Sequence, residues 1–277
     1  MNKYEKLEQY LKTCTTKNSK STIQSKQSIL KQYLKHTQQE PPNTQNYKTF
    51  LKNKKQEGVS PDYLNLCGMT IKQYLQYLGQ NTENLPLPKR EGKTRKGIPE
   101  EEIITLLQAN PYNEYPQEHI IILFLLNTGL RVSELCNLKY KDINTNKRRL
   151  TVTKAKGNQK RTIPLNTTAI QMIQQQKQLQ QQKNIKSEYI FSNQKGNKIS
   201  TRYIQMQINK AGKRAGIKVS PHLFRHTFAT ISNQKGLDSA FLQKILGHST
   251  LSITEKYLHH DLGIIQEKYD EININIG

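Results

Sequence analysis

The chain has 277 residues, and its 43 lysines and arginines against 21 aspartates and glutamates give a formal net charge of +22 at pH 7. This length exceeds what one small hydrophobic core needs, so it predicts two domains. The charge favours a polyanionic partner, either nucleic acid or an anionic membrane surface. No run of 18 apolar residues is present to span a membrane, and the N-terminus lacks the apolar segment of a secretory signal.

The cysteines narrow the setting further. Cys14, Cys67 and Cys136 lie far apart without paired spacing, so neither a disulfide framework nor a zinc site is indicated. We therefore expect a reducing, cytoplasmic environment, with nucleic acid rather than a membrane as the partner. The alternative explanation of the charge is a solvated lysine-rich surface, and the Asn, Gln, Lys and Ile bias is also what an AT-rich genome produces.

Residues 1–82 are predicted to form a small all-helical domain. Apolar residues recur there at the spacing of amphipathic helices in four successive stretches. The stretches are separated by "KNSKST", "QQEPPNT" and "EGVSPDY", which supply capping residues and prolines suited to helix starts. After them, Pro, Gly and basic residues replace the apolar stripe in "NTENLPLPKREGKTRKG", which predicts a basic linker over residues 83–97.

The second domain, residues 98–277, is predicted to be mainly helical with a small antiparallel β-sheet. It opens with a helix whose first turn carries three glutamates, and "EHIIILFLLNTGL" follows as a buried helix ended by Gly129. The segment "RRLTVTKAKGNQKRTIPL" indicates two strands, 151–153 and 162–165, joined by a turn. A Gln-rich helix at 167–183 comes next, and the chain is predicted to be helical again from residue 201 onward.

Two basic side chains stand out in "PHLFRHTFAT". His222 and Arg225 are three residues apart near a predicted helix start, so they project from one face, and a helix N-terminus favours an anion. Arg131 follows "NTGL" at a break between two apolar helices, where an unpaired buried arginine would be costly. An ion pair with Glu134 is the alternative role for Arg131, and a lone histidine is more often structural than functional.

Three more candidates gain meaning only from their order. Lys156 lies in the predicted turn "AKG", where an ordinary solvated lysine is the simpler interpretation, His248 follows a helix break, and Tyr257 comes nine residues later. The ordered set "TGLRVSEL", "KGNQKRTIPL", "PHLFRHTFAT" and "LGHSTLSITEKYLH" resembles the tyrosine recombinase (lambda-integrase-like) family. Within that family, the chain is most similar to the Xer-type recombinases. The resemblance covers the whole second domain.

The resemblance implies a helical core-binding (SAM-like) domain followed by a tyrosine-recombinase catalytic domain. In such a domain Arg131 and Arg225 would hold the non-bridging oxygens of the scissile phosphate. Tyr257 would attack the phosphorus, giving a 3′-phosphotyrosyl bond and a free 5′-hydroxyl. Fixed cations suit this reaction, because charge gathers on the phosphate oxygens and a phenol with a pKa near 10 needs help to ionise.

The other roles implied by the resemblance concern protons and hydrogen bonds. Lys156 would donate a proton to the leaving 5′-oxygen, His222 would assist proton transfer around the nucleophile, and His248 would hydrogen-bond the phosphate. Relatives usually have Gly-Lys-Gly at the hairpin, whereas this chain has Ala-Lys-Gly, and Lys154 is a possible substitute for Lys156. No carboxylate set resembling a magnesium site and no P-loop glycine pattern is present, so we expect neither a metal nor a nucleotide cofactor.

The expected partners are double-stranded DNA and further copies of the chain, assembled as a homotetramer on paired sites. The apolar segment after Tyr257 would either pack in its own domain or dock on a neighbouring protomer. As a hypothesis of docking, deletion of residues 262–277 should abolish synapsis and leave single-site binding intact. Whether a second recombinase or an accessory protein is required stays open.

The favoured function is site-specific recombination, and the compact length favours Xer-like resolution of chromosome or plasmid dimers. A mobile-element or phage integrase is the first alternative. A type IB topoisomerase-like enzyme that relaxes DNA as a monomer and a non-catalytic DNA-binding protein are the others. The layout of a helical bundle plus a linker, together with the "GHSTLSITEKYLHH" box, counts against the topoisomerase.

Overall fold

A computed structural model describes residues 2–16, 18–38, 40–90, 97–153, 160–247, 262–272 and 274, and the side chains of 262–265 lie outside that description. The chain divides into two compact units, Met1–Thr94 and Arg95–Gly277. Each unit is described by itself. Among the described helices, none has both the length and the apolar character that crossing a bilayer requires.

The first unit is a helical bundle, as the apolar spacing predicts. Its described helices are α1 (Lys3–Cys14), α2 (Lys20–His36), α3 (Thr44–Gln56) and α4 (Pro61–Tyr77). Each begins behind an Asn or Ser whose side chain accepts a hydrogen bond from a backbone N–H of the first turn. The inward faces share one core, in which Tyr33, Tyr47 and Tyr74 are fully buried.

The described part of the segment predicted as a linker packs on the two units. Leu85 is buried in the core of the first unit, and the Tyr47 hydroxyl donates to the carbonyl of Pro86 at 2.7 Å. At the other end, Ile98 is buried in the second unit, and its N–H donates to Thr227 Oγ1 at 2.8 Å. Residues 91–96, with much of the basic sequence, lie outside the described residues.

The second unit is mainly helical, with one small antiparallel sheet of order β1-β2-β3 among its described residues. The strands are β1 (Ile143–Asn144), β2 (Arg149–Thr153) and β3 (Lys160–Pro164). The helices are α5 (Glu100–Gln108), α6 (Pro116–Thr128), α7 (Val132–Asn137), α8 (Thr167–Gln182), α9 (Thr201–Ala215), α10 (Pro221–Gln234), α11 (Ser239–Leu246) and α12 (Leu262–Glu271). Leu150 pairs with Ile163 and Val152 with Arg161. The two predicted strands are therefore present, and β1 is an addition.

The centre of the second unit is α6. Every residue from Ile120 to Thr128 is buried, so the helix has no polar face, as expected for a helix enclosed by others. It packs against α8, α9 and α10. This enclosure fixes the end of α6, and the residues that follow it enter the candidate site.

The C-terminal segment packs on its own unit in this structure. Tyr269 and Ile272 are fully buried, and the Tyr269 hydroxyl donates to the carbonyl of Asn127 at 2.9 Å. The Asn127 side chain also pairs with the backbone of Ile274, through two hydrogen bonds of 3.0 Å each. Of the two placements open from the sequence, packing within the domain is the one observed.

Replacing Tyr269 by alanine is therefore expected to destabilise the second unit. Loss of a large buried side chain costs about 3–5 kcal/mol of unfolding free energy, because the cavity left behind cannot fully close. Tyr269→Phe, which removes only the hydroxyl, should cost about 1–2 kcal/mol. Urea unfolding followed by near-ultraviolet circular dichroism measures both variants, with the exposed Glu267→Ala as the control. An unchanged unfolding midpoint for Tyr269→Ala would contradict the packing.

The same burial changes what a deletion can report. Removing residues 262–277 would take Tyr269 and Ile272 out of the core and leave the Asn127 side chain without Ile274. We therefore expect the deletion to destabilise the unit, so a loss of synapsis in that variant would not isolate docking on a neighbour.

Candidate active site

The site begins where α6 ends. Gly129 adopts a left-handed conformation with φ of 59°, and a Cβ added there would lie 2.3 Å from Cδ1 of Phe228. Both facts favour glycine at this position. The tight turn leaves the Gly129 carbonyl free to accept a hydrogen bond and sends the chain to Arg131, the residue that precedes α7.

Arg225 is held inside the unit. It lies in the second turn of α10, which begins behind Ser220 and has Pro221 at its first position. Only 7% of Arg225 is exposed; its Nη1 donates to the Gly129 carbonyl at 2.7 Å, and its Nη2 donates to the Leu246 carbonyl. Backbone oxygens on two different elements therefore fix this guanidinium.

Arg131 reaches the same place from α7. Its Nη1 forms an ion pair of 3.1 Å with Glu134 Oε1, and its Nη2 lies 3.5 Å from the Gly247 carbonyl. Glu134 also accepts the Arg131 backbone N–H at 2.9 Å, which is the return bond of a helix capping box. The Arg131 side chain is 42% exposed, so it is accessible from solvent. The Glu134 ion pair considered from the sequence is real, and it coexists with the convergence on Arg225.

A third arginine, which the sequence analysis did not select, completes the cluster. Arg161 on β3 donates from Nε to the Ile245 carbonyl at 2.6 Å. Its Nη1 and Nη2 donate to the two carboxylate oxygens of Glu134, at 2.8 Å each. Its position could have been suspected, because it faces inward beside Ile163 on an alternating strand, where a charged residue is unusual.

The three arginines thus donate to three consecutive carbonyls, Ile245, Leu246 and Gly247, at the C-terminus of α11. We call this set of three guanidiniums the arginine cap. Carbonyls at a helix end lack partners within the helix and carry its negative dipole end, so cations stabilise them. The cap therefore joins α7, β3, α10 and α11 at one point of the unit.

The cluster has an excess of positive charge. In the described part of the chain, the salt bridges of the cap involve one carboxylate, that of Glu134. Burial lowers the pKa of Arg225 to about 10, Arg131 and Arg161 lower it further by repulsion, and Glu134 opposes them. Arg225 is still charged at neutral pH. An anion bound here would relieve the repulsion, and in the described ranges no group of three or more His, Cys, Asp or Glu is placed to hold a metal ion.

Glu134 is expected to make stability depend on pH. Burial alone would raise its pKa, but hydrogen bonds from Arg161 and from the Arg131 backbone hold the pKa below its ordinary value. A lowered pKa adds stability above the ordinary value of about 4.3, and that stability is lost as the pH falls through the lowered pKa. Glu134→Gln should therefore lower the unfolding temperature at pH 7, and the difference should shrink towards about pH 3.

Thermal unfolding of both proteins between these pH values measures the effect. Glu188→Gln is a matched control, because Glu188 forms an ion pair of 2.7 Å with Lys139 but on the surface, where such pairs contribute little. A constant difference between wild type and Glu134→Gln across the range would contradict the ion-pair explanation.

The remaining predicted residues are distributed as follows. His222 is exposed in the first turn of α10, one turn before Arg225, and its ring meets His226 edge-on at 6.3 Å between centroids. Lys156 and its substitute Lys154 lie outside the described residues, in the segment that joins β2 and β3. His248 and Tyr257 also lie outside them, in the segment between α11 and α12.

Known proteins match this chain over most of its length. The family model described as the phage integrase family matches residues 96–262, which is more than half of the chain. The chain belongs to the phage integrase family. The tyrosine recombinase XerA of Pyrococcus furiosus is 34% identical to this family member, over 92% of this chain and 89% of the relative. The tyrosine recombinase XerC of Histophilus somni is 30% identical, over 97% and 94%.

A solved structure supports the fold of this phage integrase family member. A lambda integrase tetramer bound to a Holliday junction matches with a TM-score of 0.71 at 21% identity, over 91% of this chain and 78% of that one. At this identity the likeness concerns the fold alone. Together the matches confirm the resemblance seen in the sequence motifs and the mainly helical fold class. This family member is an enzyme of site-specific tyrosine recombination.

Proposed function

We propose that the chain cuts and rejoins double-stranded DNA at specific sites through a 3′-phosphotyrosyl intermediate on Tyr257, in Xer-like resolution of chromosome or plasmid dimers. The observation that carries the proposal is the convergence of Arg131 and Arg225 on the neighbouring carbonyls of Gly247 and Leu246. Two arginines from different elements are thereby fixed at one point, directly before the sequence segment that contains His248 and Tyr257.

Arg131 and Arg225 bind the two non-bridging oxygens of the scissile phosphate in this proposal. A guanidinium has five N–H donors, so each arginine keeps donors beyond those given to the protein. Charge grows on the phosphate oxygens as the phosphorus is attacked, and donors that are already fixed stabilise it without reorganising. The half-exposed Arg131 receives the phosphate from solvent, and the buried Arg225 supplies the rigid second donor.

The covalent step exchanges one phosphate ester for another. The phenol oxygen of Tyr257 bonds to phosphorus, and the bond from phosphorus to the 5′-oxygen breaks. His222 assists removal of the phenol proton, Lys156 protonates the leaving 5′-oxygen with Lys154 as the possible substitute, and His248 hydrogen-bonds the phosphate. The position of these residues in the four motifs and the family membership support these roles. Because the phosphotyrosyl bond keeps the energy of the broken ester, rejoining needs no nucleotide.

DNA binding and assembly are the next part of the proposal. The net charge of +22 suits a polyanion. The helical bundle of residues 1–82 is proposed as the core-binding domain, 83–97 as the basic linker and 98–277 as the catalytic domain. The proposed assembly is a homotetramer on paired sites, which the solved lambda integrase tetramer on a Holliday junction supports by analogy.

A nicked duplex that traps the covalent intermediate tests the proposal. The target site is first located by footprinting on DNA from the host genome, and a duplex with a nick beside the cleaved bond is then made. We expect a covalent protein–DNA complex, and strand exchange when two intact site duplexes are supplied. Relaxation of supercoils without site preference would indicate a topoisomerase instead, and binding without any covalent complex would leave only a DNA-binding protein.

A further inference from the structure

Arg161 differs from the other two arginines of the cap in how its donors are used. Its Nε, Nη1 and Nη2 all donate to protein oxygens at 2.6 to 2.8 Å. Its side chain is 7% exposed, against 42% for Arg131. A guanidinium enclosed and engaged in this way is poorly placed to bind a phosphate from solvent. Its task must lie in the groups that it holds.

Those groups belong to the proposed phosphate-binding machinery. Both oxygens of Glu134 are bound by Arg161, and one of them also pairs with Arg131. The Ile245 carbonyl stands directly before the two carbonyls that receive Arg225 and Arg131.

The turn after α11 is also shaped around Arg161. Gly247 has a φ of 66°, and a Cβ added there would lie 3.2 Å from Nη1 of Arg161, so the guanidinium fills the space beside this turn. Residue 248, the proposed phosphate donor His248, follows in the sequence.

We propose that Arg161 is a positioning residue of the recombinase: it neutralises Glu134 and holds the C-terminus of α11, and thereby orients Arg131 and Arg225 without contacting the phosphate. This inference rests on the function proposed above. Without Arg161, the carboxylate of Glu134 is left with Arg131 as its ion-pair partner among the described residues. It then draws the Arg131 guanidinium towards itself and repels the incoming phosphate.

The test compares Arg161→Gln, Arg161→Lys and the double variant Arg161→Gln/Glu134→Gln in the full chain. The rate constant of covalent complex formation is measured in a single turnover at saturating protein on the nicked duplex, and the Kd for the duplex is measured separately. We expect Arg161→Gln to cleave about 100-fold more slowly, since a small misplacement of a catalytic group has effects of this size. The Kd should change by no more than about threefold, because one buried arginine is a minor part of the total charge.

The double variant distinguishes positioning from a general structural role. Glutamine at position 134 removes the unpaired negative charge, so the double variant should cleave about tenfold faster than Arg161→Gln alone, a coupling typical of groups in direct contact. A merely structural loss would make the double variant equal to the single variant or slower, and that result would overturn the inference. Arg149→Gln on the neighbouring strand β2 is the matched control and should cleave within about threefold of wild type.

Failure of the inference and failure of the proposed function give different results. If the wild type forms no covalent complex, the proposed function is wrong. If the wild type reacts and Arg161→Gln reacts within threefold of it, the positioning role is wrong. Should Arg161→Gln not fold in thermal unfolding, Arg161→Lys decides. Lysine keeps the charge but cannot bind both carboxylate oxygens and Ile245 together, so cleavage about tenfold slower supports the role, and an unchanged rate overturns it.

Discussion

Tyr257→Phe is expected to bind the target duplex with wild-type affinity and to form no covalent complex. Phenylalanine keeps the ring and removes the oxygen that is proposed to attack phosphorus, so the fall in cleavage should exceed about 10,000-fold, as for other removed nucleophiles. Incubation with the nicked duplex, followed by denaturing gel electrophoresis, measures the fraction of protein linked to DNA.

The control for this variant is another tyrosine of the same unit. Tyr203 on α9 is partly buried, and its hydroxyl lies 3.4 Å from Gln117 Oε1, outside the arginine cap. Tyr203→Phe should therefore cleave like the wild type. A covalent complex formed by Tyr257→Phe at a similar rate would show that a different group is the nucleophile.

Arg225→Lys is expected to lower the cleavage rate constant by about 100- to 1,000-fold, which is the range for losing one fixed donor to a developing oxyanion. Lysine keeps the charge, but its ammonium group lacks the planar fork that contacts the carbonyls of Gly129 and Leu246 and still has donors for the phosphate. Single-turnover cleavage with the nicked duplex measures the change. Arg202→Lys on the exposed surface of α9 is the matched control.

Two further observations sharpen this second prediction. Thermal unfolding of Arg225→Lys shows whether the catalytic unit stays folded, since the replaced side chain is buried. Arg131→Lys should have a defect of similar size, and the double variant should lose less than the two factors multiplied, because groups acting on one phosphate are not independent. A cleavage rate for Arg225→Lys within about threefold of wild type would contradict its role.

The sequence predicts the fold well where a local pattern decides the structure. The continuous apolar run of α6 predicts a buried helix, and the alternating residues on either side of "AKGNQ" predict β2 and β3. The strand β1 was not predicted, because two residues carry no detectable period. The packing of residues 85–88 was not predicted either: their prolines are typical of a linker, and only the tertiary structure shows that Leu85 fits the core of the bundle.

The candidate site is predictable in its members and much less so in its construction. The order of the motifs identifies Arg131 and Arg225, but nothing local shows that both reach the C-terminus of α11. Backbone carbonyls have no sequence signature, and the partners of Arg161 lie on α7 and α11, far from β3 in the chain. Glu134 was noticed only as an alternative partner of Arg131, whereas the structure makes it the shared carboxylate of the arginine cap.

The most direct test of the whole account is to identify the amino acid that becomes linked to DNA. The covalent complex is trapped on the nicked duplex, digested with nuclease and trypsin, and fragmented by mass spectrometry. The account predicts that the peptide 257–268, YLHHDLGIIQEK, carries a nucleotide through its 3′-phosphate on Tyr257. A nucleotide attached to one of the histidines of this peptide, to another tyrosine, or through a 5′-phosphate would contradict it.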